Sequence, residues 1–180
     1  MELLNIITPC SRPENLHTIA NSINIPTNKY RWIVVYDGFE LPSSELIPNN
    51  CEIYCYHDDE SCVGHYQRNY AMNFIHRGHI YFNDDDTIIH PELWENIKDL
   101  DNDFITFNQI HSNGSPRLIN ESVRVCGVDS HNFIFSKDIS VGLAFTNVYE
   151  GDGIFATQCY QRSTSYIHLD KVLSVYNALR

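Results

Sequence analysis

No stretch of this chain approaches the roughly 20 consecutive apolar residues that a membrane-spanning helix needs. The opening Met1-Glu-Leu-Leu-Asn-Ile-Ile lacks the basic start and long apolar core of a secretion signal. A cytoplasmic protein is therefore expected, with its six cysteines as reduced thiols. None of Cys10, Cys51, Cys55, Cys62, Cys126 and Cys159 forms a Cys-X-X-Cys pair, which argues against a structural zinc site. In that compartment Asn120-Glu-Ser122, a glycosylation acceptor by pattern, has no role. Positive charge is also scarce. Twelve Lys and Arg stand against 23 Asp and Glu, for a net charge of −11, which argues against non-specific binding to nucleic acid polymers or anionic membranes. A nucleoside diphosphate stays possible, because a metal and a few local cations would serve it. Internal repeats, linkers, low-complexity tracts and a glycine-rich, lysine-bearing phosphate loop are all missing.

What is present is an ordinary soluble composition, 43% hydrophobic and 19% charged, over 180 residues. That length suits one domain with a substantial core. Leu3 to Thr8 is an apolar run stopped by Pro9 and predicts a buried strand. Glu14 to Ile23 carries Leu16, Ile19, Ala20 and Ile23 at helical spacing. Tyr30 to Tyr36 predicts a second buried strand, closed by the turn signal Asp37-Gly38, and Cys51 to Tyr56 a third. Val63 to Arg77 predicts a helix ended by Gly78, with the acidic His57-Asp-Asp-Glu60 before it as a solvated cap. Alternation of strand and helix through the first hundred residues predicts an α/β fold, its central sheet mostly parallel and flanked by helices. The second half is less regular. Asp103 to Ile110 reads as a strand, Val123 to Val128 with Asn132 to Phe135 as a bent strand or hairpin, and a helix starts near Ile154. Val172 to Arg180 looks helical and could run on into another module or pair two copies as a homodimer.

The centre of the chain is His79 to Pro91. Ile80-Tyr-Phe82 reads as a short buried strand, and Asp84, Asp85 and Asp86 follow it at once. A helix-like run from Pro91 to Leu100 comes next. In open α/β sheets ligands bind at the carboxyl edge of the strands. Carboxylates this close resist joint ionisation unless a cation neutralises them, and Mg²⁺ or Mn²⁺ suits oxygen ligands of this kind. The plainer alternative is an acidic turn capping the following helix.

Four segments, in order over nearly the whole chain, resemble the nucleotide-sugar glycosyltransferases of the GT-A fold. They are Ile6-Ile-Thr-Pro-Cys-Ser-Arg-Pro13, Trp32-Ile-Val-Val-Tyr-Asp37-Gly38, Val63-Gly-His-Tyr-Gln-Arg-Asn-Tyr-Ala71 and Ile80-Tyr-Phe-Asn-Asp-Asp-Asp86. The last two are most similar in wording to the glucuronosyltransferase-like and family-2-type branches. The resemblance implies a single Rossmann-like catalytic domain over 1–180. Residues 1–100 would bind the nucleotide sugar and 101–180, smaller and mixed in strand direction, the acceptor. It implies a UDP-sugar donor, a glycan, lipid-linked or other hydroxyl acceptor, and Mn²⁺ or Mg²⁺ as cofactor. On this likeness Asp86 ligates the metal, Asp84 holds the ribose or a metal-bound water, and Asp85 helps either. Asp37 accepts from the base, Thr8 and Arg12 line the nucleotide pocket, and Arg68 pairs with the base or an acid near it. Asp86→Asn should then abolish metal-dependent UDP binding.

The same likeness places a catalytic base within Tyr149-Glu-Gly-Asp-Gly153. Inverting transferases of this fold take the acceptor proton with a carboxylate, and Asp152 is preferred over Glu150 because it adjoins the helix start. His168 in Tyr166-Ile-His168 would complete the metal site, its imidazole favouring Mn²⁺. Asp129, in Gly127-Val-Asp129-Ser-His-Asn132, falls where such enzymes place an acceptor-side loop. Two other functions remain open from sequence. One is a metal-dependent nucleotidyltransferase or phosphohydrolase. The other is a non-catalytic nucleotide-sugar-binding module.

Overall fold

The computed structural model describes residues 1–180. Four strands run parallel side by side: β1 (Leu4–Cys10), β2 (Tyr30–Tyr36), β3 (Glu52–Cys55) and β4 (His79–Phe82). β5 (Phe104–His111), β6 (Pro116–Leu118), β7 (Phe133–Ser136) and β8 (Tyr166–Tyr176) complete one eight-stranded sheet. Its order is β3-β2-β1-β4-β7-β5-β6, with β8 parallel to β5 along the whole of β5. β7 is antiparallel to both β4 and β5, so β5 and β8 point the same way as β1 to β4, and β6 is reversed as well, antiparallel to β5.

Side chains alternate across the sheet and build a core on each face. On one face Ile6, Trp32 and Tyr81 pack against α1 (Leu16–Ser22) and α3 (Leu93–Ile97). On the other Ile7, Ile33 and Phe82 pack against α2 (His65–Met72) and α4 (Gly151–Arg162). Phe82 anchors the second face among the rings of Phe133, Phe135, Phe145 and Phe155, at centroid separations of 5.1 to 6.2 Å. No helix is long and apolar enough to cross a membrane.

Several elements differ from the sequence expectation. β1 continues through Pro9 to Cys10. Its pairing with β4 ends at Ile7, so Pro9 stands where β1 has a neighbour only on the β2 side, a place that tolerates a missing N–H. Val123–Val128 is irregular and forms no strand. Residues 172–176 belong to β8, not to a helix, because pairing with β5 outweighs local pattern. α2 starts only at His65, since Gly64 holds a left-handed φ of +78° and a Cβ there would stand 2.8 Å from Pro9 Cβ. The acidic 57–60 segment is thereby kept off the helix start and caps nothing of α2.

Candidate active site

The carboxyl ends of β1, β2, β4 and β8 open on one cleft of about 600 Å³. The three aspartates after β4 line it, and each leaves the strand toward a different element. Asp84 meets α2, where Arg68 Nη2 donates to its Oδ1. Asp85 meets the β1–α1 loop. It accepts from the Ser11 and Arg12 amides at 2.6 and 2.7 Å, from Ser11 Oγ at 3.1 Å and from Arg12 Nε at 2.9 Å. Asp86 meets the segment after β8, with its Oδ2 2.7 Å from Arg180 Nε and 3.2 Å from Arg12 Nη2. Thr87 Oγ1 donates to Val175 O at 2.6 Å and Leu179 N to Asp86 O at 2.8 Å, which fixes that segment over the aspartates.

The cleft floor carries a second charge chain. His131 Nε2 lies 2.9 Å from Asp84 Oδ2, and its Nδ1 lies 3.3 Å from Asp129 Oδ1. Asp129 also pairs with Arg117, Nη2 to Oδ2 at 2.9 Å. The guanidinium of Arg117 sits 3.9 Å over the Tyr176 ring. Burial alone would lower the His131 pKa, but the charges of Asp84 and Asp129 overrule it and raise it to about 9. For Asp84, too, burial works against the charge. The Arg68 and His131 charges outweigh it and hold the carboxyl well below its usual range. For His131, a folded pKa above the ordinary 6.5 stabilises the fold fully below pH 6.5, and that contribution is lost as pH rises through about 9. Urea midpoints are expected to fall between about pH 6.5 and pH 9 in the wild type, with a flatter profile in His131→Gln. Equal slopes in the two proteins would refute a charged His131.

The opposite wall of the cleft is the start of α4. Gly151 is required there, because a Cβ would stand 2.6 Å from His65 Nε2 and 2.5 Å from Thr146 O. Burial, and then the charge of Arg68, lower the His65 pKa to about 4, so the ring is neutral. Nε2 lies 2.9 Å from Val148 O, and Nδ1 lies 3.4 Å from Arg68 Nη1. The neutral ring meets both with its proton on Nε2, donating to the carbonyl and leaving Nδ1 to accept. His65 thus ties the segment before α4 to α2, and this sets Asp152 beside the cleft. Burial, with the Asp129 charge adding to it, raises the Asp152 pKa to about 6, although Gly153 N donates to Oδ1 at 2.7 Å. Glu150 lines the cleft exposed, at the helix N-cap position and without a capping bond.

Arg12, Asp37, Arg68, Asp84, Asp85, Asp86, Asp129, Glu150 and Asp152 therefore share one cleft. Asp37 stands at its β2 side, where its Oδ1 is 2.9 Å from His57 Nδ1. Hydrogen bonds to Asp59 and to Asp37 raise the His57 pKa. Two residues expected in the site lie outside the cleft lining. Thr8 is buried within β1, and its Oγ1 accepts from Trp32 Nε1 at 2.9 Å. His168 pairs in register with Thr106, five residues before the end of β5 and so on the order of 15 Å down the sheet from that end. Both its ring nitrogens are engaged, by Thr106 Oγ1 at 2.9 Å and Asn120 Oδ1 at 3.0 Å. Asp85 is corrected in role, because its carboxylate already meets Ser11 and both chain and side-chain donors of Arg12 and serves to pin the β1–α1 loop.

Sequence reasoning missed His65, Arg117, His131 and Arg180. A signal existed for His131, since Asp129-Ser-His-Asn132 has capping-box spacing, and both halves of that box form here. Arg180 had none, because only the long-range β5–β8 pairing delivers it.

The aspartates do not fit the metal expected of them. No three His, Cys, Asp or Glu side chains gather as a ligand set. Asp84, Asp85 and Asp86 are each engaged by guanidinium, and His168 is elsewhere.

No known protein-family profile matches the sequence, and no curated protein does. Solved structures match in shape. Residues 1–349 of S. aureus TarS superpose with a TM-score of 0.78 at 16% identity, over 96% of this chain and 60% of that one. The complex of TarS 1–349 with UDP-GlcNAc gives 0.73 at 16% identity, over 96% and 58%. The mannosyltransferase PcManGT from Pyrobaculum calidifontis, in complex with GDP-Man and Mn²⁺, gives 0.71 at 13% identity, over 97% and 56%. This chain thus spans about 60% of the length of the first of these. Its fold is the GT-A fold of nucleotide-sugar glycosyltransferases.

Proposed function

We propose that this chain is a glycosyltransferase catalytic domain that moves a sugar from a UDP-sugar donor to an acceptor hydroxyl, with inversion. The observation that carries it is the meeting, in one cleft at the carboxyl edge of a GT-A sheet, of the Asp84–Asp86 edge and Asp152. Ligands of open α/β sheets occupy that edge. Two of the structures named above hold UDP-GlcNAc or GDP-Man, which supports a nucleotide-sugar donor and leaves the base open to test.

Each residue then has a task. Asp37 accepts from the base and Asp84 from the ribose. The acceptor oxygen attacks the anomeric carbon, and Asp152 takes its proton. The bond from that carbon to the diphosphate oxygen breaks, and the electron pair leaves on the diphosphate. Guanidinium groups that line the cleft stabilise this developing charge. No step is assigned to a metal. A raised pKa near 6 still leaves Asp152 mostly ionised at pH 7 and more basic than an ordinary aspartate, as its task needs.

The test is product analysis with UDP- and GDP-sugars over a panel of glycan, lipid-linked and small hydroxyl acceptors. Release of the nucleoside diphosphate, with the sugar on the acceptor and its anomeric configuration inverted, is expected. Release of pyrophosphate or of a nucleoside monophosphate would point to phosphoryl chemistry and contradict the proposal.

A further inference from the structure

Four carboxylates of the cleft, the three after β4 among them, already have a guanidinium partner. Asp84 has Arg68, Asp85 has Arg12, Asp86 has Arg12 and Arg180, and Asp129 has Arg117. Consecutive aspartates need neutralising cations, and here the protein supplies them itself. Asp86 decides the matter. Its side chain is 5% exposed, and Oδ2 takes both Arg12 and Arg180. A divalent ion on that oxygen would have to displace two guanidinium groups from a buried carboxylate, and one on Oδ1 would sit beside both of their positive charges, with no third ligand near to compensate. Arg180 contributes only Nε to this pair, its side chain stays 56% exposed, and it lines the cleft. Its two terminal nitrogens therefore remain for a ligand. Guanidinium forks match phosphate oxygens in geometry as well as in charge.

We infer that Arg180 and Arg12 hold the donor's diphosphate directly, and that a nucleoside diphosphate binds this chain without a divalent cation. This rests on the nucleotide-sugar function proposed above and deepens it. Asp86 thereby becomes a positioning residue. It aims two guanidinium groups at the cleft and contributes no ligand to a metal.

Calorimetric titration of UDP and GDP into the full chain tests this, with EDTA, MgCl₂ or MnCl₂ in the buffer. The wild type is expected to bind with the same affinity, within about twofold, in EDTA and in Mn²⁺. Arg180→Ala is expected to weaken binding roughly tenfold or more, as loss of a charge-assisted contact does. Arg12→Lys, which keeps the charge and loses the fork, should weaken it less. Asp86→Asn should still bind in EDTA, and equally in EDTA and in Mn²⁺, weakened only as far as the two guanidinium groups lose their placement. A direct metal role requires the reverse: binding confined to Mn²⁺ or Mg²⁺ and lost in Asp86→Asn. That result overturns the inference and leaves the transferase proposal standing. No binding of either nucleotide in any buffer would remove both together. The chelator comparison needs no variant, so a poorly folding mutant does not protect the inference.

Discussion

Asp152→Asn is expected to lower the rate of sugar transfer by roughly 10²- to 10⁴-fold and to leave donor binding unchanged. Asp152 would act as a base on the acceptor hydroxyl, so only its ionised form works. Its pKa near 6 places the wild-type kcat/KM limb there: a plateau above about pH 6, and a fall of about tenfold per unit below it. The substitution should remove this limb. Stability should move the other way from activity. Burial opposes the Asp152 charge, so the folded pKa stands above the ordinary 3.8 and the charged carboxylate costs stability at neutral pH. That cost disappears in acid, where both states are protonated, and it disappears in the amide variant at every pH. An unchanged or higher Tm is therefore expected for Asp152→Asn. Glu150→Gln is the control. Glu150 is exposed and makes no capping bond, so little change is expected in rate or Tm. Normal transfer by Asp152→Asn together with loss in Glu150→Gln would reverse the assignment.

Arg68→Met is expected to cost about 3 to 5 kcal/mol of stability, the range for removing one partner of a buried charge pair. Arg68 is only 2% exposed. Nη2 serves Asp84 and Ser130 Oγ (3.2 Å), and Nη1 serves the Val63 carbonyl at 2.7 Å. The guanidinium also lies 5.6 and 5.8 Å from the Phe145 and Phe82 ring centres. Methionine would fill much of the volume and leave Asp84 with His131 alone. In a chain of this length such a loss corresponds to a Tm drop of roughly 10 °C. Asp84→Asn in the same chain should return part of it, because no unpaired charge then remains. A drop below about 2 °C for Arg68→Met would show that the cluster contributes little to the fold.

The parallel half of the sheet was legible because each strand there is a short apolar run closed by a turn signal. Tyr30–Tyr36 has the bounds expected of it. The strand before the acidic triplet was equally readable, and the three aspartates that follow it do line a cleft. The late chain was not, for physical reasons. β8 passes from the exposed Asp170-Lys171 to the buried Leu173, with shifts in its register against β5, so its period is blurred. Its partner lies some 60 residues earlier, which no local pattern records. The same distance hid Arg180, which arrives at the cleft only through that pairing, whereas Arg117 arrives on β6 through its antiparallel pairing with β5. His168 illustrates the converse: a histidine near the end of the chain matched a pattern, and the strand carrying it set it well down the sheet. The aspartates themselves were found from the sequence, but their guanidinium partners come from three different elements. Acidic spacing alone therefore suggested a metal where the folded chain brings arginines.

The central claim is that this cleft takes a nucleoside diphosphate. The most direct measurement is the melting temperature of the wild-type chain with UDP, GDP, CDP or dTDP, each with Mn²⁺, Mg²⁺ or EDTA. A ligand at a hundredfold excess over its Kd adds about 2.7 kcal/mol, which for this size is a rise of roughly 5 to 10 °C. A rise with one nucleotide above the others, UDP first, is the predicted result. No rise with any of the four, in any buffer, would contradict it.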